Sequence, residues 1–245
     1  MLTFVLLGFT VGFLVGLTGI GGGALMTPSL IFLGVEPLTA VGTDLLYATI
    51  TRIFGIVFRY RKGRIRTDIA LKLLAGSVPA ILIGGFLIRY FTQVINEYLT
   101  IFLGVVLVSS SILGLIKEIK LPVKPKVIYV YLLGFIVGFI VQFTSIGAGV
   151  IVSFALLNVA RVDPRDVIGI TLLYGLGLSL ISSTSYLILG KVNYNILLLL
   201  TIGSIPGVYT GTLLSSTTDK EKLKKIMNVL ILVIGILILL RRFFQ

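Results

Sequence analysis

Eight apolar runs, most of them close to 20 residues long, succeed one another along the chain at roughly 3–34, 38–58, 67–91, 95–116, 127–160, 166–189, 195–214 and 226–240. A helix of about 20 apolar residues spans the hydrocarbon of a bilayer, and a chain built almost wholly of such runs has few other folds open to it. The sequence therefore predicts an all-α polytopic membrane protein. Only 12% of its 245 residues are charged, about half the share in a soluble domain, and its mean hydropathy is +1.13. No connection between runs is long enough to hold a soluble domain. The first run lacks a basic leader and a small-residue cleavage site, so it reads as a retained segment and not as a signal peptide.

The formal net charge of +12 does not point to nucleic acid. Its Lys and Arg fall in short loops between apolar runs, where a cytoplasmic excess sets orientation. Cysteine and histidine are both absent. That excludes disulfides, thiolate nucleophiles and the usual metal or haem ligands, so no cofactor and no enzyme chemistry is expected.

The two halves of the chain repeat each other. "LLGFTVGFLVGLTGIGGG" from Leu6 matches "LLGFIVGFIVQFTSIGAG" from Leu132 at an offset of 126, "GTDLLY" at Gly42 matches "GITLLY" at Gly169, and "GSVPAILIG" at Gly76 matches "GSIPGVYTG" at Gly203. The alignment carries glycines and prolines, not merely apolar character. We read residues 1–120 as one repeat and 127–245 as the other, four apolar segments each, within a single membrane domain.

Segments 1 and 5 are too long for one crossing, and each is interrupted by a Gly-rich stretch, "TGIGGG" from Thr18 and "TSIGAG" from Thr144. If every segment crossed once, the repeats would be parallel, with 12 basic loop residues inside and 7 outside. If segments 1 and 5 fold back as re-entrant hairpins, the repeats are inverted and the partition becomes 15 inside to 4 outside. The positive-inside rule favours inverted repeats with hairpins.

An unwound backbone at membrane depth must line a cavity or be buried in protein. Each break also starts a new helix, whose free N–H groups and positive dipole end suit an anion. Paired breaks in corresponding places of two repeats point to a transporter's binding site. The candidate substrate-binding residues are therefore Thr18, Gly19, Gly21, Gly22 and Gly23 at the first break, and Thr144, Ser145, Gly147 and Gly149 at the second. Thr43 and Arg52 in segment 2 join them, with Tyr47 and Tyr174 nearby. Close helix packing is the competing role for glycine, and it suits Gly8, Gly12, Gly16, Gly134 and Gly138, spaced by four.

Asp44 and Arg52 are charges deep in segment 2, and such charges mark function. Arg52 offers a planar fork of donors to an anion. Asp44 is the candidate proton carrier, with a proton or sodium as the coupling ion. About 12 Å of rise and 80° of rotation separate them on a straight helix. Their counterparts Thr171 and Ser179 are neutral, so the charge is one-sided. Lys72, near a basic loop, is expected to snorkel.

The stretch "GFLVGLTGIGGGALMTPSLIFLGVEPLTAVGTDLLYATIT" resembles the TauE/SafE family of sulfite and organosulfonate exporters, and the likeness extends over both halves. The resemblance implies a multi-pass plasma-membrane protein that exports small sulfur-containing or related organic anions. The partners expected are thus a small anion, the lipid bilayer and a coupling ion, with no nucleic acid. No nucleotide-binding loop is present, so an ion gradient is the expected energy source of a secondary transporter working by alternating access. A passive anion channel on the same scaffold is the alternative.

Overall fold

The computed structural model describes residues 1–18, 22–59, 67–115, 127–158, 160, 162–214 and 220–243. Among them are ten helices and no strand. They are α1 (Leu2–Thr18), α2 (Gly23–Phe32), α3 (Pro37–Arg59), α4 (Thr67–Tyr90), α5 (Thr92–Leu115), α6 (Val127–Thr144), α7 (Ala148–Asn158), α8 (Pro164–Ile188), α9 (Tyr194–Leu214) and α10 (Lys220–Phe243). Five are long and apolar enough to cross a membrane: α4, α5, α6, α9 and residues Gly169–Ile188 of α8. Large apolar side chains such as Leu82, Phe86, Leu198 and Ile202 are exposed, which is the surface that lipid covers. The chain is a helical membrane protein.

Local chemistry marks the helix ends. α3 and α8 open on Pro37 and Pro164, where a missing N–H costs nothing. α2 stops at Gly34, whose N–H bonds the Ile31 carbonyl while Val35 N–H reaches Leu30, and α8 stops in the same way at Gly190. Both glycines have positive φ, the left-handed closure that ends a helix.

Small residues set the packing. A Cβ on Gly8, Gly12 or Gly16 would run into the backbone of Leu200, Ser204 or Val208, so α1 lies directly on α9 and runs parallel to it. Gly134 and Gly138 bring α6 onto Leu73 and Ser77 of α4 in the same manner. α5 and α10 pair antiparallel, with Gly104 against Leu239 and Gly114 against Asn228. α3 and α8 cross antiparallel at the centre, where Gly42 meets Tyr186 and Gly175 meets Arg52. α3 also runs beside α9 in the same direction: Thr43 meets Asn193 at one end, and Ile50 and Phe54 line a cleft with Ser204 and Val208 further along. α8 runs beside α4 likewise, with Gly177 on Leu74 and Gly85 on Ser185. Thus α1, α3 and α9 point one way, and α4, α6 and α8 the other.

Candidate functional site

The first break lies between Thr18, the last residue of α1, and Gly22. Gly19, Gly21 and the Thr18 side chain fall outside the described residues. Gly22 caps α2 with helical angles and no side-chain hydrogen bond to the free donors. It lies back against Val11 and Val15: a Cβ there would stand 3.0 Å from a methyl of each. On a continuous helix Val11 and Gly22 would be about 16 Å apart.

The second break is fully described. Ser145 at φ 59 and Gly147 at φ 109 turn the chain between α6 and α7. Left-handed backbone of this kind is strained for a side chain larger than glycine's, so Gly147 is needed and Ser145 is held under constraint. Thr144 steadies the turn. Its hydroxyl is 2.7 Å from the Ile140 carbonyl and accepts the Ile146 N–H at 3.1 Å. Gly149, second in α7, is half-buried.

The two breaks touch. Gly23, the first residue of α2, packs on the Ser145 backbone so closely that a Cβ would collide with its carbonyl oxygen, with the Ser145 hydroxyl 3.1 Å away. The amino end of α2 thereby faces the carboxyl end of α6, opposite poles of two helix dipoles. Asp44 of α3 is fully buried beside this contact. Its Oδ2 accepts the Thr27 hydroxyl of α2 at 2.6 Å. The Ser145 side chain stands close enough to act on the carboxylate, yet neither Asp44 Oδ1 nor Ser145 Oγ completes a hydrogen bond. Tyr47, one turn along α3 and 1% exposed, holds an unpartnered hydroxyl near Ser204.

Other predicted residues stand further off. Thr43 is buried, but its hydroxyl accepts the Asn193 N–H at the head of α9, at 3.0 Å. Neighbouring helical residues point about 100° apart, and Asp44 takes the direction of the breaks. Arg52 donates from Nη1 to the Gly175 carbonyl of α8 at 2.9 Å, and its charge is felt by Asp44 and Tyr174. It sits one layer above the contact of the breaks, not in it. Lys72 lies near the start of α4, half-buried.

Sequence reasoning missed three participants. Thr27 is one. Gln142, fully buried one turn before Ser145, is another; neither atom of its carboxamide has a partner. The third is Ser77, whose hydroxyl lies 2.8 Å from that of Tyr174 and 2.7 Å from the Gly134 carbonyl. The Leu73 carbonyl is 2.9 Å away as well, so with the Ser77 proton on one of the two carbonyls its oxygen is left to accept the Tyr174 hydroxyl. A lone polar residue in an apolar run is a signal that could have found Gln142, but Thr27 and Ser77 read as ordinary small helix residues.

At the end of the molecule where α3 begins, Glu36 gathers a polar knot. Its carboxylate accepts Lys191 Nζ at 3.1 Å, Asn96 Nδ2 at 2.9 Å and Thr39 Oγ1 at 2.9 Å. Partial burial works to raise its pKa, but the hydrogen bonds from Thr39, Lys191 and Asn96 and the Lys191 charge together hold it below the ordinary value.

A pair of apolar helix interruptions pressed together around a buried carboxylate is a binding-site architecture of membrane transport. Comparison with known proteins agrees. The profile described as "Sulfite exporter TauE/SafE" matches residues 4–238, nearly the whole chain. The chain belongs to the TauE/SafE family. The chain is 37% identical over 246 residues to the probable membrane transporter protein YjnA of Bacillus subtilis (strain 168), covering 95% of this chain and 97% of that one. It is 26% identical over 243 residues to the probable membrane transporter protein YdhB of the same organism, covering 96% and 98%. With a probable membrane transporter protein of Xylella fastidiosa it shares 25% over 248 residues, covering 96% and 93%. No solved structure matches the chain. This TauE/SafE protein is a membrane transporter.

Proposed function

We propose that this TauE/SafE protein is a secondary transporter of the plasma membrane that exports small sulfur-containing or related organic anions by alternating access. The observation that carries the reading is the contact of the two breaks, Gly23 on Ser145, beside buried polar atoms without partners. In this arrangement the site is closed: Thr27, Asp44 and Thr144 are fully buried and Ser145 is 4% exposed. Moving one half against the other parts the breaks and frees the donors at the starts of α2 and α7.

The halves 1–120 and 127–245 act as inverted repeats, each with a re-entrant hairpin. Helix directions support this. α1 and α3 both run parallel to α9, which requires the chain to return through α2. The packing of α1 on α9 corresponds to that of α6 on α4, and the central α3–α8 crossing maps onto itself. The anion docks on Gly22, Gly23 and the residues before them, on Gly147 and Gly149, and on the hydroxyls of Thr144 and Ser145. Arg52 supplies the formal positive charge by exchanging its bond to the Gly175 carbonyl for one to the anion. Thr43 steadies the start of α9 against α3. Asp44 takes the coupling ion.

A thermal-shift screen of the purified protein against sulfite, sulfate, sulfoacetate, taurine and short carboxylates tests this. A ligand at 100 times its Kd adds about 2.7 kcal/mol. One sulfur anion stabilising the wild type but not Arg52→Ala is the expected result. No response to any anion would overturn the anion reading.

A further inference from the structure

The break contact leaves buried oxygens without hydrogen-bond partners. Asp44 is fully buried, and its Oδ2 is served by the Thr27 hydroxyl. Its Oδ1 and the Ser145 hydroxyl beside the carboxylate both lack a hydrogen-bond partner, the Thr27 backbone also acts on the carboxylate, and the Ser145 carbonyl lies at the same contact, against Gly23. The carboxyl end of a helix carries negative potential, so α6 meets a carboxylate with like sign. Two charged or titratable groups of α3 interact with Asp44. Arg52 stands two turns away, with a guanidinium N–H committed to the Gly175 carbonyl, and Tyr47 is a neutral phenol that brings no cation. Unpaired polar groups buried this deeply are costly, and they persist where a further ligand satisfies them.

We infer that Asp44 Oδ1, Ser145 Oγ, the Ser145 carbonyl and Thr27 Oγ1 form a binding site for a small dehydrated monovalent cation, Na⁺, at the meeting of the two breaks. An oxygen-only donor set with a single carboxylate suits a hard ion of single charge. A proton on Oδ1 would use one of these acceptors and leave the others unserved. The ligands come from α2, α3 and the end of α6, that is, from both halves of the chain. A bound cation therefore locks the breaks together and favours the closed arrangement. Its role as coupling ion rests on the transporter reading; its existence as a site does not.

The test is thermal unfolding of the purified full chain without added sulfur or carboxylate anion, titrated with NaCl, KCl or choline chloride at constant total chloride and ionic strength. Na⁺ should raise the Tm saturably, with K⁺ and choline giving no rise. Asp44→Asn should abolish the rise, and Ser145→Ala should move its half-saturation to about tenfold higher Na⁺, the scale of one contact to a charged group. The ion series on wild type needs no variant, so a misfolded Asp44→Asn does not shield the inference. Equal behaviour in Na⁺, K⁺ and choline overturns it. So does a stability that depends on pH through Asp44 and is indifferent to Na⁺, which would make this a proton site. An anion response without a Na⁺ response overturns the cation site alone, and the reverse result overturns the anion reading alone.

Discussion

Adjacent glycines at the start of α2 allow a paired test of the break contact. In Gly23→Ala the new methyl meets the Ser145 carbonyl oxygen, with the carbonyl carbon at 3.1 Å. These are backbone atoms of a turn already held at positive φ, so they have little room to give. Overpacking of this kind costs about 1–3 kcal/mol, or roughly 2–12 °C in Tm for a chain of this length. In Gly22→Ala the new methyl meets one methyl each of Val11 and Val15 at 3.0 Å, with Tyr47 at 4.0 Å; the valines are stiff at χ1, but a shift of a few tenths of an ångström relieves the contact. Its cost should be about 1 kcal/mol or less. The assay is thermal unfolding of both variants beside wild type, followed by anion uptake into liposomes. Gly23→Ala should lose both stability and flux, and Gly22→Ala should keep most of its stability. Equal effects of the two substitutions on stability would refute the argument that the breaks bear on each other at Gly23 and Ser145.

Thr27→Val keeps the shape of the side chain but leaves Asp44 Oδ2 without its donor; chemical denaturation should show a loss of about 1–3 kcal/mol, with Thr27→Ser restoring most of it. Glu36 titrates lower in the folded protein than its ordinary 4.5. Its contribution is therefore complete above that value and is lost as pH falls through the lower folded value. A Tm-versus-pH curve should drop on that acid limb, and Glu36→Gln should flatten the limb while lowering the plateau. The native chain contains no cysteine, so single-cysteine labelling can follow its path. Leu2→Cys and Leu33→Cys should react from the same side of the membrane, and Val127→Cys and Asp163→Cys from the other. Labelling of Leu2→Cys and Leu33→Cys from opposite sides would show that α1 and α2 cross as one span.

Much of the helix layout was legible because hydropathy and glycine punctuation carry it. The apolar runs fall on helices, and the two glycine stretches fall where α1 ends and where α6 gives way to α7. At α10 hydropathy marks only part of the helix. The apolar run at 226–240 coincides with the apolar part of α10, Lys225–Leu240, while the helix itself begins at Lys220, because Lys and Glu are sound helix formers that an apolar scan does not see. The site was legible only in part. Glycine density announces a break, and charge in an apolar run announces Asp44 and Arg52. That Gly23 would meet Ser145, or that Thr27 would serve Asp44, depends on packing between segments over 100 residues apart in one case and on the facing of a single hydroxyl in the other. Thr43 illustrates the limit, since it lies next to Asp44 in the chain yet binds Asn193.

We propose that the paired breaks carry an anion across the membrane by alternating access. Counterflow in liposomes containing the purified protein tests it most directly, using labelled sulfite outside and a large excess of unlabelled sulfite inside. The account predicts saturable, transient accumulation of label above equilibrium, lost in Arg52→Ala. Flux that does not saturate and gives no accumulation, with discrete current steps in a planar bilayer, would mark an open pore and contradict it.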